Sequence, residues 1–320
     1  MKDEIGLIDV TLRDGGFTCD FDWSIDFAQE YYSIMCDLGV NFVELGYWKQ
    51  TAKSKNKFYN LDQQFVEKVT GNAGRRNVSV MIDYHYCSKN MADYPTAEQE
   101  EVRLIRMTAR KDMIDQAIPF ASDLKKHTGL GVSFNIFNVT NYTTSELTET
   151  VKKVVDSDFE YIYMADTHGH LDLSSDMEKY DTLFRKIKTA GKKTGFHLHD
   201  HTGKAFLNYT KCAESPYIDS CDTSIMSLGK GAGNLKLENV LRGEQSLRLS
   251  EFIHKHYDSF FKKTVSPYYL VTGTFNITDN YATQAEKLKV PMGEFVSFCS
   301  SVEHLEKDNY NQNLLKEYVK

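Results

Sequence analysis

Three stretches of the chain concentrate side chains able to do chemistry. The first, Gly195-Phe-His-Leu-His-Asp-His-Thr-Gly203, places His197 and His199 two residues apart. Side chains alternate along a strand, so both imidazoles point the same way, as two ligands of one metal must. The second, Asp9-Val-Thr-Leu-Arg-Asp-Gly-Gly16, carries Arg13 and Asp14 at the end of a strand-like run. Alternation predicts Asp9, Thr11 and Arg13 on one face, and the two glycines allow a sharp turn or a close approach to a ligand. A plain Arg–Asp ion pair beside a tight turn is the alternative. With Asp14, the set would be two imidazoles and one carboxylate, leaving positions open for substrate or water. No cysteine joins it, which points away from closed structural zinc and toward a six-coordinate Mg²⁺ or Mn²⁺.

The third stretch is Leu228-Gly-Lys-Gly-Ala-Gly-Asn-Leu-Lys-Leu-Glu238. Glycine-rich loops before helices can hold anions on backbone N–H groups, but such loops are common and the P-loop order is absent. Single candidates are Glu44 in Glu-Leu-Gly-Tyr47, Asp83, His85, Asn135, and Asp166 in Asp-Thr-His-Gly169. Asn135 and Asp166 are expected substrate contacts, with an ordinary structural hydrogen bond as the competing reading for every one of these.

The elements that must position these groups alternate along the chain. Short β-branched or aromatic runs at 5–12, 42–47, 78–84, 104–109, 131–139, 161–166, 194–199 and 218–228 predict strands. Amphipathic segments at 24–38, 61–71, 111–127, 144–156, 175–190 and 205–213 predict helices between them. This α/β alternation predicts a (β/α)8 TIM barrel over 1–243, whose strand ends would carry the chemistry. A doubly wound sheet with an added domain is the competing arrangement. Beyond Gly243 the pattern becomes helical, at 244–261, 280–287, 293–298 and 309–318, with aromatic interruptions such as 266–270, so 244–320 is expected as a helical C-terminal extension. A homodimer through it is the accompanying expectation.

With 41% hydrophobic and 26% charged residues among 320, the composition is that of a globular protein. The formal charge of −7 opposes nonspecific nucleic-acid binding. No apolar run suits a membrane span or a signal peptide, and the 6 scattered cysteines read as reduced thiols, so a cytoplasmic protein is expected.

Taken in order, the segments DVTLRDGG, ELG, ADTHG, HLHDHTG and LGKGAGN resemble the metal-dependent pyruvate aldolase and carboxyltransferase superfamily, the DRE-TIM metallolyases related to hydroxymethylglutaryl-CoA lyase. The resemblance implies that Asp14, His197 and His199 bind a divalent metal, with Asn234 approaching the same centre. It implies that Arg13 stabilises the enolate of a 2-oxo acid and that Glu44 and Glu238 support these groups. An enolate gains negative charge as it forms, and a guanidinium and a metal stabilise it more than the neutral ketone. The chain departs from the hydroxyoxovalerate aldolases at Phe17, where their motif carries a histidine base. It also lacks the cysteine that hydroxymethylglutaryl-CoA lyases place before GN. His201, His168, His85 and Tyr84 are the remaining candidates for a base, with His201 foremost.

The leading expectation is an aldolase-like lyase acting beside the carbonyl of a 2-oxo acid, with an aldehyde or acyl acceptor as the second substrate. A Claisen-type acyltransferase using acetyl-CoA is the alternative, and a non-catalytic metal-binding barrel is the third.

Overall fold

A barrel strand buries both faces, one against the helices and one inside the barrel, so Val78 through Ile82 of the run Val78-Ser-Val-Met-Ile-Asp83 are all buried although Ser79 and Asp83 interrupt its apolar character. The computed structural model describes residues 5–48, 56–71, 77–99, 101–258 and 265–319. Its strands are β1 (Gly6–Asp9), β2 (Phe42–Tyr47), β3 (Val78–Asp83), β4 (Val102–Ala109), β5 (Gly131–Ile136), β6 (Tyr161–Asp166), β7 (Lys193–Leu198) and β8 (Ser220–Thr223). They close, all parallel and in chain order, into one barrel. Around it lie α1 (Ile25–Asp37), α2 (Gln63–Thr70), α3 (Ile114–Thr128), α4 (Thr144–Val155), α5 (Leu173–Thr189), α6 (Ala205–Glu214), the single turn α7 (Leu237–Val240) and α8 (Gly243–His256). The fold is therefore a TIM barrel, as expected. Only a 3₁₀ turn, Met91–Asp93, fills the β3–β4 connection among the described residues.

Helix starts follow local chemistry. Ser24 caps α1 by accepting from the Phe27 N–H. Thr143 and Glu146 form a reciprocal capping box at the start of α4, a device worth about 1 kcal/mol.

Several strands end earlier than their runs predict, β5 by three residues at Ile136, β1 by three at Asp9 and β8 by five at Thr223. β1 stops at Asp9 because the chain curls, with the Asp14 N–H bonded to the Val10 carbonyl at 2.8 Å. The expected shared face of Asp9, Thr11 and Arg13 is thereby broken. Asp9 and Thr11 bond each other at 2.9 Å, whereas the turn swings Arg13 to Glu44 on β2. After β8 the left-handed backbone at Met226 and Ser227 turns the chain off the sheet.

Inside the barrel, strand register brings inward side chains together. Tyr163 faces Gly195 in the β6–β7 pairing. A Cβ on Gly195 would lie 2.3 Å from the Tyr163 ring, so glycine is needed for that approach. Ile8, Val10, Leu104 and Tyr163 form a small apolar plug. Arg106 lies above it, its guanidinium 4.5 Å from the centre of the Tyr163 ring.

The C-terminal extension contains α9 (Tyr268–Phe275), α10 (Asn280–Leu288), α11 (Met292–Ser301) and α12 (Gln312–Tyr318). Ile277, Tyr281, Phe295, Phe298 and Leu315 give it a core of its own. The aromatic segment at 266–270, read from sequence as an interruption, opens α9 instead. Pro267 stands at its N-cap, where a missing N–H breaks no helical hydrogen bond. Helix α8 packs differently: Phe252 lies 5.9 Å from Phe27 and 5.7 Å from Tyr31, both on α1. On core membership we propose a domain boundary after α8 for the division expected at 243/244. Residues 259–261 of the helix expected at 244–261 lie outside the described residues. Among the described residues no helix is long and apolar enough to cross a membrane.

Candidate active site

β7 carries His197, and His199 follows one residue beyond its end, bridged to Asn234. His197 Nδ1 lies 2.8 Å from Asp222 Oδ2 on β8, and His199 Nδ1 lies 2.6 Å from the Thr167 carbonyl. Each acceptor favours a proton on Nδ1, so in the neutral form of each ring Nε2 presents a lone pair. Those atoms face one another at 3.1 Å. Two lone pairs so close repel unless a proton or cation lies between them. Asp14 Oδ2 is 3.5 Å from His199 Nε2, and one ligand atom from each of Asp14, His197 and His199 lies within 4.8 Å of the others. All three are buried. The donor set, two imidazole nitrogens and a carboxylate, fits a divalent ion. Asn234 donates to Asp14 Oδ2 at 2.9 Å, while its own buried Oδ1 has no partner and adds an oxygen beside the set.

Arg13 is clamped between two carboxylates, donating to Asp14 Oδ1 at 2.6 Å and to Glu44 Oε1 at 2.5 Å. Glu44 also accepts from Arg106 at 3.1 Å, and Arg106 reaches both oxygens of Asp222 at 3.0 and 2.7 Å. An unbroken chain of charge thus runs from Arg13 through Glu44, Arg106 and Asp222 to His197. Arg106 and Asp222 escape sequence reasoning. The available signal was a charge at an inward position within an apolar run, as in Leu104-Ile-Arg-Met107.

These partners set the protonation states. Burial alone raises the Asp14 carboxyl, but the Arg13 guanidinium and His199 outweigh it and hold it well below the usual carboxylate range. Burial and the adjacent His199 lower His197 despite its bond to Asp222. Burial also opposes a charge on His199, yet the bond to Asp14 raises it above the ordinary imidazole value. His201 is pushed down to about 3 by burial and then by His199.

His201 is 4% exposed and neither ring nitrogen has a partner. Its ring centre lies 5.5 Å from that of His199 and 5.9 Å from that of Tyr269 on α9. Gly231, with φ of +64°, lets the loop pass: a Cβ there would sit 2.4 Å from His201 Nε2. The extension reaches the rim a second time through Asp279, which pairs with Lys230 Nζ at 2.7 Å. Burial disfavours both charges, but mutual attraction raises Lys230 and lowers Asp279.

The other sequence candidates occupy distinct places. In the glycine-rich loop the Lys230 N–H is turned on Asp14 Oδ2 at 3.2 Å rather than toward an outside anion. Glu238 accepts from the Met226 N–H and holds the turn after β8. Asp166 accepts from the N–H groups of His170 and Leu171, shaping the loop that carries Thr167. Burial raises its carboxyl to about 7. Asn135, on β5, accepts from Ser133 at 2.8 Å and has no described contact with the His pair. Asp83 accepts from the His85 N–H. Phe17 is 42% exposed and packs edge-on against Phe21 and Tyr47.

A barrel rim with this histidine pair and aspartate defines a class that sequence comparison identifies directly. The chain belongs to the HMGL-like family, whose profile matches residues 4–259. It is 26% identical over 257 residues to a 2-isopropylmalate synthase from Methanocaldococcus jannaschii, an alignment covering 77% of this chain and 47% of that one. It is 20% identical over 241 residues to an oxaloacetate decarboxylase from Mycobacterium tuberculosis, covering 75% of this chain and 69% of that one. The chain thus spans about half the length of the synthase. Among solved structures, the carboxyl transferase domain of Rhizobium etli pyruvate carboxylase with pyruvate shares the fold at a TM-score of 0.69 and 14% identity, covering 99% of this chain and 60% of that chain.

Proposed function

We propose that the chain makes or breaks a carbon–carbon bond beside the carbonyl of a 2-oxo acid, as a divalent-metal-dependent aldolase-like lyase. The observation that carries this reading is the pair of Nε2 atoms facing one another at 3.1 Å next to Asp14 and Arg13. Asp14, His197 and His199 would hold Mg²⁺ or Mn²⁺, with Asn234 close by. Such an ion, when bound, supplies positive charge that polarises a substrate carbonyl.

The chain's own groups do the rest. Arg13 stays charged because Glu44 and Asp14 outweigh the cost of its burial, and its clamped guanidinium is oriented before an oxyanion develops. Asn135, inward on β5 in register with Tyr163, is the proposed contact for the body of the substrate. Asp166 acts indirectly by holding the loop whose Thr167 carbonyl orients His199. His201, neutral and with two unpartnered nitrogens, is the proposed acceptor of the C3 proton, its ring centre 5.5 Å from that of His199.

Deuterium exchange at C3 of pyruvate and 2-oxobutyrate, followed by NMR with Mg²⁺ or Mn²⁺ present, tests the reading. Exchange is expected in the wild type and slowed about 10²–10³-fold by Arg13→Ala, the usual loss for one oxyanion donor. His199→Ala should abolish the dependence on metal. A folded, metal-binding wild type that exchanges no 2-oxo acid overturns the enolate reading in favour of a non-catalytic metal-binding barrel. Kinship with the isopropylmalate synthase supports a second reading, Claisen condensation of an acyl-CoA with a 2-oxo acid, and release of free CoA in the presence of both substrates separates the two.

A further inference from the structure

Between the rim over β3–β6 and the C-terminal extension lies a cavity of about 860 Å³. Two of its lining residues touch the metal set: the Thr167 carbonyl meets His199 Nδ1, and the Lys230 N–H meets Asp14 Oδ2. A ligand filling it is therefore separated from that set by single residues, Thr167 and Lys230. Ligand pockets are usually lined by apolar groups with a few polar ones. This one presents side-chain amides and hydroxyls from both sides, including Asn138, Asn141 and Thr167 of the barrel and Thr278 and Asn280 of the extension.

The cations at its wall are each matched by a carboxylate. Arg110 pairs with Asp112 at 3.0 Å, Lys111 with Glu146 at 2.8 Å, and Lys230 with Asp279 at 2.7 Å. Such paired charges give phosphates little to bind, which disfavours CoA or a sugar phosphate. Among the described lining residues one buried side-chain atom lacks a partner. Asn138 is 3% exposed; its Nδ2 donates to Asp308 at 2.6 Å, but its Oδ1 accepts from nothing. A buried acceptor left unpaired costs free energy, and a ligand hydroxyl would satisfy it once the Asn138 amide turns toward the cavity.

We propose that this cavity takes an uncharged, polyhydroxylated aldehyde of four or more carbons, an open-chain aldose, as the second substrate. The proposal rests on the 2-oxo-acid reading above. In the synthetic direction a C3–H bond of the oxo acid breaks and C3 bonds to the aldehyde carbon. The proton lost from C3 is balanced by one taken up on the former aldehyde oxygen, so no oxidant or further reactant is needed. The cleavage direction is the reverse.

Unreactive polyols test the ligand class apart from catalysis. Saturation-transfer NMR on the full chain loaded with Mn²⁺-free Mg²⁺ buffer would follow erythritol, D-arabinitol and D-mannitol, with butan-1-ol and coenzyme A as competitors. Polyol binding is expected, and Asn138→Gly should weaken it about tenfold by removing the free acceptor. Glycine suits the left-handed backbone there, φ +51°, and a retained melting temperature confirms folding. Asn280→Ala, a second variant, should weaken binding less. Absence of polyol binding, insensitivity to both variants, or displacement by coenzyme A or butan-1-ol overturns the proposal. Polyol binding without pyruvate exchange supports the cavity assignment while removing the enolate reading; exchange without polyol binding does the opposite.

Discussion

Two polar networks flank the Asp14–His197–His199 cluster, and they are built from different materials. The inner one is ionic and runs across the barrel through Arg13, Glu44, Arg106, Asp222 and His197. The outer one is largely neutral. It joins Asn138, Asn141 and His168 of the barrel loops to Asn276 and Asp308 of the extension, with bonds of 2.6, 2.5 and 3.1 Å. Arg106, Glu44 and Asp222 are 0% exposed, so each charge depends on its partner. A buried ion that loses its partner pays a desolvation cost that an amide does not. The ionic chain therefore fixes Arg13 and His197 through buried charges that depend on one another, whereas the outer layer rests mainly on amide hydrogen bonds.

Removing the central cation tests that contrast most severely. Arg106→Met leaves Glu44 and Asp222 facing each other without it, and a loss of about 3–5 kcal/mol is expected in urea unfolding. A loss below about 1 kcal/mol would mean that these buried charges do not depend on one another.

Asp9 sharpens the comparison, because it is a buried carboxyl with no cation partner among the described residues. Burial raises it to about 7, whereas Asp222, which burial would also raise, is held low by Arg106 and His197. The folded state therefore binds the Asp9 proton more tightly than the unfolded state, where the group titrates near 4. Its contribution is fully present below pH ~4 and is lost as pH rises through about 7, by at most about 4 kcal/mol. Asp9→Asn should flatten this part of the stability–pH curve, and an unchanged curve contradicts the assignment. Asp222 has the opposite sign: its contribution disappears as the solution is acidified.

Within the ionic chain, Asp222→Asn keeps the shape but loses the carboxylate that orients His197. Mn²⁺ affinity by calorimetry is expected to fall about 10–100-fold. The smallest effect belongs to the outer network. Asn138 and Asn141 both donate to Asp308 Oδ1, which Asp308→Asn retains, so only the charge assistance is lost and a stability loss of about 1 kcal/mol is expected. A loss matching that of Arg106→Met would erase the distinction between the two networks.

Much of the rim was legible in the chain. The two-residue spacing of His197 and His199 and the position of Asp14 after a strand-like run identified the residues that the fold brings together. Arg13 and Glu44 were each legible as rim candidates, but their ion pair was not, since 31 positions separate them. The same spacing rule misplaced Arg13 on the face of Asp9, because the turn after Asp9 ends the strand alternation on which the rule depends. Arg106 and Asp222 were passed over for a related reason: a lone charge in an apolar run has no local partner, and theirs lie 62 and 116 positions away along the chain.

Alternation and helical periodicity are short-range properties, so the sequence alone determined the order of strands and helices and which side chains could share a face. Which nitrogen of each imidazole is free, what neutralises Arg106, and how the extension roofs the rim depend on groups far apart in the chain. Barrel closure brings those groups into register, and their buried charges and hydrogen bonds are then satisfied by distant partners rather than by neighbours.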